Sequence, residues 1–235
     1  MNTMIRTTVA TALATVMLVG ATAMPALAAP ADVTVPDTLP AIQAAGARAT
    51  AARISAINRT VPDITRTSCL TDAHRSTALD ELTTALGGMN TLRDEIAADT
   101  TTSVAADHYR SIFVDWRVDG VVIPQTRYAV GADCIENVSI PALVEAQTAL
   151  IAAVAAADPS KVTPAVEADM AQLDTQIAGA KADIAGVADE ALAVTAADYN
   201  SNKAVLSDVK VSISSATSAV KLARIAAADV AKALK

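Results

Sequence analysis

Apolar residues recur along the last third of this chain in alternating steps of three and four. Val166, Met170, Leu173, Ile177, Ala180, Ile184, Val187, Ala191 and Val194 keep that spacing behind a Thr163-Pro164 start. Leu206, Val209, Ile213, Ala216, Val220, Ala223, Ala227, Val230 and Leu234 keep it again on the final segment. Such a rhythm is the seam of a coiled-coil-like helix, and each seam predicts about 42 Å of helix. Folded back near Asn200, positions whose numbers sum to 400 face each other, so Leu173 meets Ala227, Ile177 meets Ala223 and Ile184 meets Ala216. Large residues then oppose small ones, which predicts an antiparallel hairpin over about 164–235. The strand-like alternation of Val209 to Ser215 is a soft spot in the last helix. Val211, Leu222 and Ile225 make a second stripe on it, expected to pack against other helices.

A second hairpin is predicted over about 69–134. Leu79, Leu82, Leu86, Met89 and Ile96 follow one seam, and a helix starting near Ser103 carries Tyr109, Phe113, Trp116, Gly120 and Ile123 on another. Reversal near residue 101 pairs positions summing to 202, such as Leu86 with Trp116 and Met89 with Phe113. Cys69 and Cys134 sum to 203 and so meet at the open end. A disulfide closing this loop of about 65 residues contributes ~4 kcal/mol in the chain-entropy picture. Connecting helices complete the expectation. One runs from Pro40 to about Thr60, where Val61-Pro62-Asp63 should break it, and one covers Pro141 to Ala157, apolar on more than one face and therefore expected to be buried. The fold class predicted is all-α, an elongated bundle of two long antiparallel helical hairpins plus connecting helices, forming one domain over 40–235.

The N-terminus reads differently. Arg6 precedes the uncharged stretch Thr7 to Met24, and Pro25-Ala26-Leu27-Ala28 supplies a small-residue cleavage site. This predicts a secretory signal peptide over 1–28, followed by an extended linker over 29–39. No later run reaches membrane-spanning length without charge, the nearest being Ala149 to Ala157, so no transmembrane segment is expected after cleavage. The protein is expected to be secreted or cell-envelope associated, where two cysteines form a disulfide.

Composition narrows the fold further. Of 235 residues, 55 are alanine and only five are aromatic, too few large and β-branched side chains for a β-sandwich or barrel. The net charge of -7 disfavours nucleic acid as a partner. Between Pro40 and Thr60, Arg48, Arg53 and Arg59 stand without an acid, and this positive face is expected to dock on the acidic flank of its own bundle.

Candidate chemistry is sparse. Four of the five aromatics fall within Tyr109 to Tyr128, and Pro124 removes the amide that would bond the carbonyl of Gly120, which predicts a kink there. A ligand pocket at the kink would be floored by Phe113 and Trp116 and edged by Asp115, Arg117, Asp119 and Pro124, with Gly87-Gly88 leaving room opposite Phe113. The same aromatics read more readily as the thick part of an otherwise thin core, since an aromatic stripe at core spacing is usually core. His74 and His108 lie at opposite ends of the first hairpin, so no metal site is predicted. No nucleophile elbow, zinc-protease motif or phosphate loop occurs, so neither catalysis nor a cofactor is expected.

The runs Ser111-Ile-Phe-Val-Asp-Trp-Arg-Val-Asp-Gly-Val-Val-Ile-Pro-Gln125, Asp94-Glu-Ile-Ala-Ala-Asp-Thr100 and Tyr199-Asn-Ser-Asn-Lys-Ala-Val-Leu206 resemble a group of uncharacterised alanine-rich secreted helical proteins of actinobacteria. The resemblance implies a helical, exported protein and brings no activity or site residue with it. The function expected is a secreted, envelope-associated structural or interaction protein whose partner is an unidentified envelope component or protein. The alternative is an extracytoplasmic binding protein for a small apolar or amphipathic ligand at the kinked aromatic helix.

Overall fold

The computed structural model describes residues 33–235, so the predicted signal peptide and the first four linker residues lie outside the described residues. These are all-α, with no strand among them. They divide into two compact units, an N-terminal one of residues 33–130 with 189–209 and a C-terminal one of 131–188 with 210–235. Neither cysteine is free, and Cys69 and Cys134 are both disulfide-bonded.

The N-terminal unit is built on α1 (Leu39–Arg66), α2 (Asp72–Ala98) and α3 (Thr102–Val114). Pro40 sits in the first turn of α1, where its missing amide costs nothing. The linker ahead of it is not a loose tether, because Val35 and Leu39 pack against Ile42, Ala105 and Ala106. Contrary to expectation, α1 does not stop before Pro62 but runs through it to Arg66. A tertiary clamp holds the helix end that follows the proline. Arg75 of α2 donates to the carbonyls of Ile64 at 2.7 Å, Thr65 at 3.2 Å, Thr67 at 2.8 Å and Leu70 at 3.0 Å. The guanidinium thereby satisfies the carbonyls that a helix end leaves open.

At the other end of the pair the roles reverse, and Gln43 of α1 donates to the carbonyls of Ala97 and Asp99 where α2 finishes. The two clamps show that α1 and α2 lie antiparallel. Their contact is close, for a β-carbon on Gly46 would stand 2.8 Å from Cγ2 of Ile96. The buried face of α1 is correspondingly small, with Gly46, Thr50 and Thr60 beside Ile42, Ile57 and Ile64. Thr50 and Thr60 bury their hydroxyls by donating to the carbonyls of Gly46 and Ala56 in the preceding turn.

This neighbour shifts the seam of α2. Leu82, Met89 and Ile96 are buried as expected, but the positions alternating with them are Ala78, Ala85 and Leu92, whereas Leu79 and Leu86 are half-buried. A helix flanked by both α1 and α3 turns its alanines into the tightest contact and leaves the bulkier leucines at the margins. The reversal into α3 lies where predicted, although its N-cap is Thr101, which accepts from the amide of Val104, rather than Ser103.

After α3 the chain breaks at residues 115–117 and resumes as a wide-turn π segment, Val118–Val122, leading into α4 (Ile123–Cys134). The interruption therefore precedes the kink expected at Gly120. Pro124 follows directly on the wide turn, which is where a missing amide is absorbed without a clash. A second wide turn, Ile135–Ser139, follows α4. Further along, α7 (Val187–Ala193) precedes the short α8 (Ala196–Ser201), whose start is a reciprocal capping box of Thr195 and Asp198.

In the C-terminal unit, α5 (Ile140–Ala155) leads through a single 3-10 turn, Pro159–Lys161, to α6 (Pro164–Ile184), and the chain ends on α9 (Ser207–Ala233). Thr163 caps α6 as its sequence suggests. The predicted seams are largely buried, with Met170 the half-buried position inside the first. Val166, Leu173, Ile177, Ala180 and Ile184 are at most 3% exposed, and Ile213, Ala216, Val220, Ala223, Ala227 and Val230 are buried on α9. The helix expected to run unbroken from Val166 to Val194 is nevertheless interrupted at Gly186, whose φ of 74° is left-handed, and again before Thr195.

Two other expectations fail here. Val211, Leu222 and Ile225 are 62%, 41% and 49% exposed instead of packed, because Ala219 and Ala226 occupy the second buried stripe and bring the backbone in closely. Likewise α5 buries one face, Ile140, Leu143, Ala146 and Leu150, and leaves Ile151 55% exposed. Among the described residues the helical stretch Thr102–Ala155 is long and apolar enough to cross a membrane by length and composition, with a window of mean hydropathy 1.7.

Candidate functional site at the broken aromatic helix

The break at residues 115–117 and the wide turn after it gather side chains of the N-terminal unit around residues 113–120. The carboxylate of Asp115 turns back to accept from the Ser111 hydroxyl at 2.6 Å. Trp116 folds against α2, directly over Gly88. Arg117 takes φ of 41°, the one left-handed non-glycine backbone among the described residues. Its carbonyl accepts from the amides of Gly120, Val121 and Val122 at 3.1, 2.7 and 3.3 Å, and buried Ile112, Val118 and Val121 fix the segment from within. A left-handed arginine costs about 1–2 kcal/mol, which these bonds and contacts offset.

From α1, Arg53 reaches the same place. It pairs with Asp119 at 3.0 Å, lays its guanidinium 4.5 Å from the ring centre of Phe113 and donates to the carbonyl of Ala49. Phe113 also meets Tyr109 edge-to-face at 5.2 Å. The acid-free stretch between Pro40 and Thr60 thus meets an acid of its own unit through Arg53, one of the three arginines in that stretch.

The α8 side supplies the remaining contacts. The Asn200 amide donates to the open carbonyl of Val114 at 2.8 Å, and its Oδ1 accepts from Nε of Arg117 at 2.7 Å and from Nζ of Lys203 at 3.3 Å. Both cations also lie against Tyr199, Arg117 at 5.3 Å and Lys203 at 4.7 Å from its ring centre. The Tyr199 ring in turn covers Gly120, where a β-carbon would sit 3.4 Å from Cε1. Loss of solvent contact and the neighbouring Arg117 charge push the Lys203 ammonium below its ordinary range.

Five of the six residues singled out in the sequence, all but Pro124, fall on residues 113–119. Their faces are taken up by neighbours of the same chain: Phe113 by Arg53 and Tyr109, Asp119 by Arg53, Asp115 by Ser111, and Arg117 by Asn200 and Tyr199. Pro124 lies in α4, beyond the wide turn. Gly88 faces Trp116, not Phe113, and Gly87 faces open space. The sequence did not connect Tyr199, Asn200 and Lys203 with this segment, although the run Tyr199 to Leu206 stood out for its resemblance.

Nearby, the amide of Gln125, itself 2% exposed, donates to Glu81, and burial pushes the Glu81 carboxyl up to about 7. The other Gln125 amide atom, Oε1, is buried without a partner. His108 pairs with Asp99 at 3.0 Å and His74 with Asp189 at 3.0 Å, and no group of three metal-ligating side chains occurs among the described residues.

The C-terminal unit carries a groove of about 450 Å³ between the end of α5 and the start of α6. Ile151, Val154, Val162, Val166 and Met170 line it, and Glu167 is its one charged residue. A comparison of the chain with protein-family models, curated proteins and solved structures finds no match, so the reading of these sites rests on their geometry.

Proposed function

We infer that the chain is an exported, envelope-associated helical interaction module whose C-terminal unit holds the partner-binding surface. The observation that carries this reading is the outward stripe of α9. Val211, Leu222 and Ile225 recur at helical spacing on one face and remain 41–62% exposed, on a helix whose buried face is mostly alanine and valine. Large apolar side chains left in water along one line are characteristic of association surfaces. Export is supported by the signal-peptide pattern, by the resemblance to alanine-rich exported proteins and by two cysteines in the oxidised state. The antiparallel pairing of the 166–194 and 206–234 seams belongs to the same proposal. It is supported by burial along both seams and by the ammonium of Lys161, which donates to the carbonyl of Leu234 at 3.2 Å where that register would bring the two ends together.

The test is fractionation of the producing cell with and without the paired change Leu222→Glu and Ile225→Glu. Wild-type protein should stay with the envelope, and the variant, folded by circular dichroism, should appear in the medium. Equal partition of the two would remove the stripe from the account, and wild-type protein found in the cytoplasm with reactive thiols would remove export.

The groove favours a second reading, in which a small apolar or amphipathic ligand binds between α5 and α6 rather than at the aromatic helix. An alkylamine carrying a fluorescent group should then saturate one site, and Val166→Glu should abolish the signal.

A further inference from the structure

We propose that Arg117 and Lys203, gathered on Asn200 and Tyr199, form a binding site for a phosphate-class oxyanion. The two cations converge on a single acceptor, Oδ1 of Asn200, and on a single aromatic ring. Among the described residues, neither has a carboxylate within 4.0 Å. Of the acids nearby in the chain, Asp119 pairs with Arg53, Asp115 accepts from the Ser111 hydroxyl and Asp198 is held in its own capping box by Thr195. In a chain of net charge -7, two neighbouring cations without a counter-charge are the unusual feature.

The fixing of Arg117 adds direction. Its Nε is spent on Asn200, which in turn is anchored to the carbonyl of Val114, so the guanidinium is held by its inner edge. The two terminal nitrogens are left as a fork, the part of arginine that matches two oxygens of a phosphate. A glycine would adopt the left-handed backbone at residue 117 without strain. An arginine there bears a conformational cost, which its contact with Asn200 alone scarcely requires. Lys203 contributes the second positive charge as a point donor. A tetrahedral oxyanion of charge one to two relieves the repulsion between the cations, whereas a neutral sugar or an apolar ligand would leave it in place.

This inference does not depend on envelope association, and its test can succeed where that one fails. Inorganic phosphate is titrated into the purified, disulfide-intact chain at low salt, following the Nε–H resonance of Arg117 and the ring resonances of Tyr199. Both should move with one saturation curve, and binding should weaken as sodium chloride rises. Lys203→Gln and Arg117→Gln should each weaken binding at least tenfold, and Lys203→Arg should retain it. Arg48→Gln, an exposed cation of the same unit, should have no effect. A second arm uses vesicles of phosphatidylglycerol against phosphatidylcholine. Capture by the anionic vesicles that free phosphate competes away identifies a lipid headgroup as the source, and binding of phosphate without vesicle capture identifies a soluble one. Absence of a shift at Arg117, or a shift unchanged by Lys203→Gln, would overturn the proposal.

Discussion

Trp116 covers Gly88 so closely that a β-carbon at residue 88 would overlap Cζ2 and Cη2 of the indole. The aromatic that follows the end of α3 is thus set into a notch in α2, and the notch exists because one residue lacks a side chain. Gly87 beside it has nothing within 4 Å of the same position. Gly88→Ala is expected to lower stability by about 1–3 kcal/mol through overpacking, and the emission of the single tryptophan should move to the red as the indole is displaced. Gly87→Ala should instead raise stability by about 0.5–1 kcal/mol, the ordinary gain of alanine in a helix. Urea unfolding monitored by Trp116 fluorescence measures both, and a stabilising Gly88→Ala would show that the indole is not seated there.

The notch illustrates what the sequence conveyed. Leu82, Met89, Ile96 and the two long seams were legible because large apolar residues at steps of three and four have few alternatives to a buried helical face. The pairing of α1 with α2 was not, since its contact is made by Gly46, Thr50 and Thr60, residues that carry no hydrophobic signal. At the aromatic helix, Phe113, Trp116, Arg117 and Asp119 stood out as a cluster within one run. Their partners Arg53, Tyr199 and Asn200 come from 60 or more residues away and follow no period. The break at Arg117 had no signal at all, because an arginine is among the residues least expected to be left-handed.

Arg75 holds the end of α1 beyond Pro62, and its removal tests how far that helix depends on a tertiary clamp. Arg75→Ala removes a donor from four carbonyls, of which Ile64 alone keeps a backbone partner in the Thr67 amide, and should cost about 2–4 kcal/mol. Arg75→Lys should recover little, since one ammonium cannot span carbonyls that the fork reaches with two nitrogens. Amide exchange in residues 63–70 should accelerate in both variants while exchange in the middle of α2 changes less. A loss below about 0.5 kcal/mol would mean that α1 needs no clamp to pass its proline.

Glu81 gives the N-terminal unit a pH dependence of defined sign. Its carboxyl is raised from 4.5 to about 7 by burial, so between those values the folded chain holds a proton that the unfolded chain has released. The contribution is fully present below pH 4.5 and is lost as pH rises towards 7. With the group only half-buried, the loss is roughly 1 kcal/mol. Glu81→Gln keeps a hydrogen-bonding partner for Gln125 and cannot ionise, so it should be more stable than wild type at about pH 8 and no more stable at about pH 4.5. Guanidinium midpoints at the two values provide the comparison. An equal gain at both would assign the effect to packing rather than to the proton.

Gly179 and Gly186 offer the cleanest separation of backbone from contact. Apart from the adjoining backbone, nothing lies within 4 Å of where a β-carbon would stand at either residue, so alanine meets no packed neighbour there. Gly179 lies inside α6, and Gly186 follows it with φ of 74° in the turn that ends the helix. Gly179→Ala should therefore stabilise by about 0.5–1 kcal/mol. Gly186→Ala should destabilise by about 1–2 kcal/mol, the cost of holding an alanine left-handed. Because the substitution is the same and the surroundings are empty in both cases, the difference between the two urea midpoints reports the conformation of residue 186 alone. A Gly186→Ala variant as stable as Gly179→Ala would mean that α6 continues through residue 186 into α7, restoring the uninterrupted helix that the spacing from Val166 to Val194 predicts.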